Sequence, residues 1–150
     1  MMKSSRVAAL ILVVGAVLSL LTGCTASQDI VLTFDGETCR YEGPDVVTEG
    51  EVTITLVNET DFEASLWMVK LDEGRTWQEL LDYIGPPGTS VEPPPWSSGN
   101  FLASKLPDNP DATVYKLNEG LYGICCCTCN ELFKENKGVW PGAAFEVRAK

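Results

Sequence analysis

Cysteines are the residues of this sequence whose type and spacing could most readily support chemistry. The chain has six: Cys24, Cys39, Cys125, Cys126, Cys127 and Cys129. Thiolates bind soft metals, exchange with disulfides, and form structural bridges in oxidising compartments. In an extended strand Cys125 and Cys127 share one face, which a continued strand would extend to Cys129, while Cys126 points to the other face.

Three uses of this cluster stay open from the residues alone. A structural disulfide would pair Cys39 with one member of the cluster and contribute on the order of 4–5 kcal/mol by the chain-entropy argument. A soft-metal site for Cu or Zn would use Cys125, Cys127 and Cys129, although their spacing is not that of a zinc ribbon. Thiol–disulfide exchange would use Cys126 or Cys129, which begin and end a Cys-X-X-Cys segment without a predicted helix to activate it.

Histidine is absent from the sequence, and the formal net charge is −10 at pH 7. The absence of histidine excludes Ser-His and Cys-His nucleophilic catalysis, His-based zinc hydrolysis and ordinary His-ligated copper. We therefore predict no enzyme active site and no cofactor. The negative charge disfavours nucleic acid and anionic lipid as partners. Because the acids are spread along the chain, we interpret them as a solvated face rather than a calcium site.

The N-terminal region has the pattern of a secretory signal. Lys3 and Arg6 precede an apolar run at residues 7–21, which is shorter than the roughly 20 residues of a membrane-spanning helix. The run ends in Leu-Thr-Gly-Cys, which resembles the bacterial lipobox, where a peptidase cuts before a lipid-modified cysteine. Residues 1–23 are therefore predicted to be a lipoprotein signal peptide, and Cys24 to be the lipidated residue.

The predicted lipid determines the location and the number of remaining thiols. Residues 24–29 would be a short lipidated tether, with the domain bound to the cell membrane on its extracytoplasmic side, in the periplasm or at the cell surface. Five cysteines then remain in an oxidising compartment. Because five is odd, at least one of them is expected to be free, metal-bound or paired outside the chain.

Hydrophobic alternation and turn residues after the tether indicate a mainly β domain with one helix. Strands are predicted at residues 30–34, 52–57, 62–71, 112–117, 121–127 and 143–148. A helix is predicted after Thr76, because Thr76 and Glu79 match the capping box, and an apolar stripe follows. The segment at residues 91–100 (VEPPPWSSGN) is predicted to be an extended surface crossover that Trp96 anchors by packing.

The order of these features resembles the cupredoxin fold, a Greek-key sandwich that carries one copper in its metal-binding members. The chain is more similar still to a group of bacterial cupredoxin-like lipoproteins of unknown function. The matching segments are residues 32–44 (LTFDGETCRYEGP), 57–60 (VNET), 82–85 (DYIG), 95–96 (PW), and 121–122 (LY) with the cysteine that follows. The resemblance implies a cupredoxin-like Greek-key β-sandwich over residues 30–150, with one short helix inserted and a signal peptide before it.

The same resemblance bears on copper. Cys126 matches the copper cysteine, but the histidine expected three residues later is Cys129, and the axial methionine would fall near Trp140. The first histidine would fall at residues 63–65, which contain none. The His₂Cys set of type 1 copper therefore cannot form. In the cupredoxin-like lipoproteins Cys39 and the late cysteine look like a disulfide pair, so the resemblance implies a Cys39–Cys126 bridge.

These observations predict a non-enzymatic binding or structural module without type 1 copper. Its partner is expected to be an unknown protein or small molecule, held at the acidic loops or the Pro-rich crossover. The first alternative is a Cu(I)- or Zn-binding lipoprotein that uses Cys125, Cys127 and Cys129 as ligands. The second alternative is a thiol–disulfide redox protein.

Overall fold

The computed structural model describes residues 28–89, 92–105, 107, 112–129 and 136–150, with side chains undescribed at 104, 105, 129, 136 and 137. The predicted signal peptide and Cys24 lie outside the described residues. The elements in chain order are β1 (Ile30–Phe34), β2 (Cys39–Glu42), β3 (Val46–Thr48), β4 (Gly50–Asn58), β5 (Ala64–Leu71), α1 (Trp77–Ile84), β6 (Ser97–Lys105), β7 (Ala112–Leu117), β8 (Gly120–Cys129) and β9 (Asn136–Arg148).

The strands form two sheets that pack face to face. One sheet has the order β2-β1-β4-β7 and the other has the order β3-β9-β8-β5-β6. The ring of Phe101 on β6 contacts that of Tyr115 on β7 at 5.9 Å, so these two edge strands adjoin across the gap between the sheets. Around the sandwich, β5 is followed by its neighbours β6 and β7, and β8 lies on the other side of β5. This is a Greek-key connection.

The strand directions give the sandwich two distinct ends. β1 and β4 run parallel from the end where the described chain begins, and we call this the tether end. There β7 turns into β8, β5 leads towards α1, and β9 finishes beside β3. The opposite end carries the turns at residues 35–38 and 59–63.

Two apolar clusters result from the alternation along the strands. The larger lies between the sheets and includes Phe34, Leu56, Tyr122 and Phe145. The smaller lies between the five-stranded sheet and α1, and includes Trp67, Leu80 and Ile84. β5 is buried along almost its whole length because it has the intersheet core on one face and the smaller cluster on the other.

The predicted fold class is confirmed: the domain is a mainly β Greek-key sandwich with one short helix. β1 and β7 have the predicted bounds, while β4, β8 and β9 extend beyond theirs. The predicted surface crossover at residues 91–100 was wrong in its last part, since residues from Ser97 onward form β6. Trp96 packs against the smaller cluster, as its predicted anchoring role requires. No helix among the described residues has the length and apolar character to cross a bilayer.

The capping box that begins α1 is present as predicted. The backbone N–H of Glu79 donates to the Thr76 hydroxyl at 3.2 Å, and the Thr76 N–H donates to the Glu79 carboxylate at 2.8 Å. The hydrogen bond from the Thr76 N–H is the main cause of the lowered pKa of Glu79, and Arg75 lowers that pKa further. The stripe after the cap buries Leu80 and Ile84. These contacts fix α1 over the outer face of the five-stranded sheet.

Replacing Thr76 with alanine is expected to destabilise the domain by about 1 kcal/mol, since the Glu79 N–H loses its acceptor. Urea unfolding measures the change. Thr76→Ser is the matched control, because serine keeps the hydroxyl and should retain most of the stability. Equal destabilisation by alanine and serine would show that the cap is not the source of the effect.

Candidate functional site

The cysteine-rich strand β8 places its thiols on two sides of the five-stranded sheet, as the alternation predicts. Cys126 points into the core between the sheets. Cys125 and Cys127 point into the smaller cluster under α1. All three are fully buried. The cluster is therefore two separate chemical environments rather than one surface of thiols.

Cys126 is joined to Cys39 by a disulfide with a Cα–Cα distance of 5.6 Å. The bridge connects β2 of one sheet to β8 of the other, and it spans 87 residues of sequence. It lies against Gly142, where a side-chain Cβ would come within 3.3 Å of the Cys39 sulfur. Gly142 is the extra residue at a register shift between β8 and β9. The bulge and the absent side chain together make room for the bridge.

Cys125 is a free, buried thiol. Burial raises the pKa of Cys125 to about 12, against the opposing effect of a backbone hydrogen bond from Gly142. At neutral pH this group is therefore a neutral thiol. Because the thiolate is the nucleophile and the metal ligand, we expect the Cys125 thiol to react only when the domain unfolds.

Cys127 is also disulfide-bonded. It therefore offers no thiolate in this state. Of the three predicted ligands of a soft-metal site, Cys125 is protonated, Cys127 is oxidised, and the side chain of Cys129 lies outside the described part of the chain. Within the described residues, no group of three or more His, Cys, Asp or Glu side chains is placed to bind one metal ion.

Three positions of this chain match copper-ligand positions in the resemblance to cupredoxins, and their residues do not fit a type 1 copper ion. Cys126 is oxidised, and Trp140 lies opposite it in the β8–β9 register. The ring of Trp140 packs against that of Phe34 at 4.9 Å. Ser65 on β5 is fully buried and pairs with Cys127. A disulfide, an aromatic ring and a hydroxyl therefore stand at these three positions, and none of them is a ligand of a His₂Cys copper site.

A cleft of about 760 Å³ lies at the tether end. Four segments line it: residues 70–75 after β5, Ser98 on β6, residues 119–121 at the start of β8, and residues 146–147 of β9. This volume is in the usual range of small-molecule sites. Two of the acidic loops that the sequence suggested as binding surfaces contribute to the wall.

Lys70 is a lining residue of the cleft, and its side chain lies beside the Tyr122 ring. Its Nζ lies 5.9 Å from the centre of the Tyr122 ring, a distance that permits a cation–π interaction. A Cβ at Gly120 would come within 2.5 Å of the Lys70 Cε. Gly120 also has φ of +150°, a conformation that L side chains rarely adopt. Glycine at this position therefore lets the lysine side chain lie across the start of β8.

Acidic side chains outnumber basic ones among the residues that line the cleft. Arg75 pairs with Glu79 at 2.9 Å and stacks on Trp96 at 5.0 Å. Glu146 pairs with Arg148 at 2.7 Å. Asp72, Glu73 and Glu119 complete the set of charged lining residues together with Lys70. The cleft is thus acidic overall, and Lys70 is the one lysine among its lining residues.

Comparison with solved structures finds a likeness of low identity. Among solved structures, the chain is similar to dithionite-reduced auracyanin from the photosynthetic bacterium Roseiflexus castenholzii. The identity is 20%, the TM-score is 0.39, and the match covers 79% of this chain and 98% of auracyanin. No protein-family model and no curated protein matches the chain.

Proposed function

We propose that this chain is a membrane-anchored extracytoplasmic lipoprotein whose sandwich is a non-enzymatic binding or structural module without type 1 copper. The observation that carries the proposal is the Cys39–Cys126 disulfide. Cys126 is the cysteine that the resemblance equates with the copper ligand. Its sulfur instead forms a covalent bridge between the sheets.

The cysteine chemistry supports an oxidising location. Cys39, Cys126 and Cys127 are all disulfide-bonded, and such bridges persist outside the cytoplasm. The lipobox-like Leu-Thr-Gly-Cys ending at Cys24 independently supports export and acylation. No histidine is present to support Ser-His or Cys-His catalysis. The Cys125 thiol is protonated at neutral pH, so it is a poor nucleophile. Both observations support a non-enzymatic role.

The tether-end cleft supports a binding role. Its lining is rich in charged side chains and includes the apolar residues Leu71, Leu121 and Val147, so a polar or charged ligand would suit it better than an apolar one. The cleft is built on strand ends and short loops of a sandwich that a disulfide joins across the core. A ligand would therefore meet a rigid surface.

Copper titration of the oxidised domain tests the proposal. We expect no intense Cu–thiolate charge-transfer band and no stoichiometric copper, because Cys126 cannot ligate while it is bonded to Cys39. Cys39→Ser is the matched control, since it frees the Cys126 thiol without altering β8. Because the chain has no histidine, the control should also lack a type 1 copper band, and such a band in either protein would contradict the proposal. One tightly bound copper per oxidised wild-type chain would refute it.

A further inference from the structure

The first described residue is pinned to the tether end of the sandwich. The side-chain amide of Gln28 donates to the Glu51 carbonyl at 3.3 Å, and its side-chain oxygen accepts from the Thr48 N–H. Both partners lie where β3 ends and β4 begins. The position of Gln28 relative to the sandwich is therefore fixed by two hydrogen bonds.

The chain between Cys24 and Gln28 is short compared with the domain. Only residues 25–27 intervene, so the two Cα atoms can be at most about 14 Å apart. β4 has nine residues, and a strand of that length spans roughly 30 Å from the tether end to the opposite end. A lipid at Cys24 consequently keeps the tether end near the bilayer. When β4 stands upright on the membrane, the opposite end is about 30 Å farther from the bilayer than the tether end.

The cleft belongs to this same end. Thr48, which contacts Gln28, pairs with Arg148, and Arg148 is two residues from the cleft residue Glu146. Leu117 pairs with Gly50, the first residue of β4, and Glu119 of the cleft follows two residues later. Tether and cleft are thus neighbours on one end of the sandwich.

We infer that the sandwich is anchored with its cleft end towards the bilayer, and that zwitterionic lipid headgroups are the surface this end contacts. The inference depends on the lipid anchor of the proposed function. The carboxylates of Asp72, Glu73 and Glu119 suit the ammonium group of phosphatidylethanolamine, and Lys70 suits its phosphate. An anionic headgroup would be repelled by the acidic wall and by the net charge of the chain.

Photo-crosslinking from lipid headgroups tests this orientation. The full-length acylated protein is placed in vesicles of phosphatidylethanolamine with phosphatidylglycerol as the minor lipid, and a trace of phosphatidylethanolamine carries a headgroup diazirine. Peptide mapping then compares two regions. We expect several-fold more crosslinks at residues 70–75 and 119–121 than at residues 35–38 and 59–62 of the opposite end.

A lengthened tether is the matched control. A flexible Gly-Ser insertion between Ser27 and Gln28 keeps the lipid and the domain but removes the constraint on reach. In that variant the bias towards the cleft end should fall. Equal crosslinking of both ends in the wild-type protein, or a bias towards residues 59–62, would overturn the orientation.

Intact mass separates this inference from the proposed function. An acylated, vesicle-bound protein that crosslinks through the opposite end would overturn the orientation and leave the lipid anchor standing. A protein without acyl mass that does not bind vesicles would overturn the anchor and the orientation together. The headgroup chemistry is tested by the crosslinking yield at residues 70–75 and 119–121, since the tether sets the orientation for any lipid. A lower yield when phosphatidylglycerol replaces the zwitterionic lipid would support the assigned headgroup, and an equal yield would overturn it.

Discussion

The double replacement Cys39→Ala and Cys126→Ala should lower the free energy of unfolding by about 4–5 kcal/mol. The reason is that the disulfide closes a long loop, whose ends are 87 residues apart in sequence. The cross-link limits the conformations of the unfolded chain, and its removal restores them. The double replacement avoids leaving an unpaired thiol in the core. Urea unfolding of the oxidised protein measures the loss.

Cys125→Ala is the control for the double variant. Cys125 is as buried as Cys126 and belongs to the same strand, but it forms no bridge. Its truncation should cost about 1 kcal/mol, the value for removing a small buried group. A double variant that loses no more stability than this control would show that the disulfide does not stabilise the fold.

Exchanging residues 1–24 for a signal peptide without a lipobox should move the domain from the membrane fraction to the soluble fraction. Two or more acyl chains give lasting membrane attachment, whereas the exchanged chain would carry none. Cell fractionation followed by immunodetection measures the distribution. We expect nearly all of the wild-type protein with the membranes and nearly all of the exchanged protein in the soluble extract.

Thr22→Ala is the matched control for this exchange, because it keeps a small residue before Gly23 and Cys24. The control should stay with the membranes. Retention of the exchanged protein on membranes would contradict lipid anchoring at Cys24 as the cause of attachment. A soluble wild-type protein would contradict it equally.

The sequence predicted those features that depend on local patterns. The alternation of β8 correctly separated Cys126 from Cys125 and Cys127, because side-chain direction in a strand has a period of two. The capping box at Thr76 and Glu79 was likewise readable, since both of its hydrogen bonds join residues three apart. The pairing of Cys39 with Cys126 came from family resemblance, because alternation alone does not choose among partners.

The missed strands are short or polar. β2 (CRYE), β3 (VVT) and β6 (SSGNFLASK) lack the sustained alternation that marks a half-buried strand. All three lie at sheet edges, where one side of the strand has no neighbour and the sequence is less constrained. β6 is held by its backbone register with β5 and by the bond from the Trp67 indole N–H to Asn100. These partners are 33 residues apart in sequence.

The cleft could not be predicted because no single segment contains it. Lys70, Ser98, Glu119 and Glu146 come together only when β5, β6, β8 and β9 pair in their observed order. The local pattern there is the turn sequence Asn118-Glu119-Gly120, which leads into β8. It indicated a change of direction, and it gave no information about which side chain would lie across Gly120.

Intact mass and disulfide mapping of the full-length protein, purified from membranes with its thiols blocked, test the central claim most directly. We predict an acylated Cys24 at the N-terminus, a Cys39–Cys126 cross-link, and a Cys125 thiol that is alkylated only after unfolding. A non-acylated chain would contradict the membrane anchor. A Cys126 that is alkylated in the native protein would contradict its role in a structural disulfide.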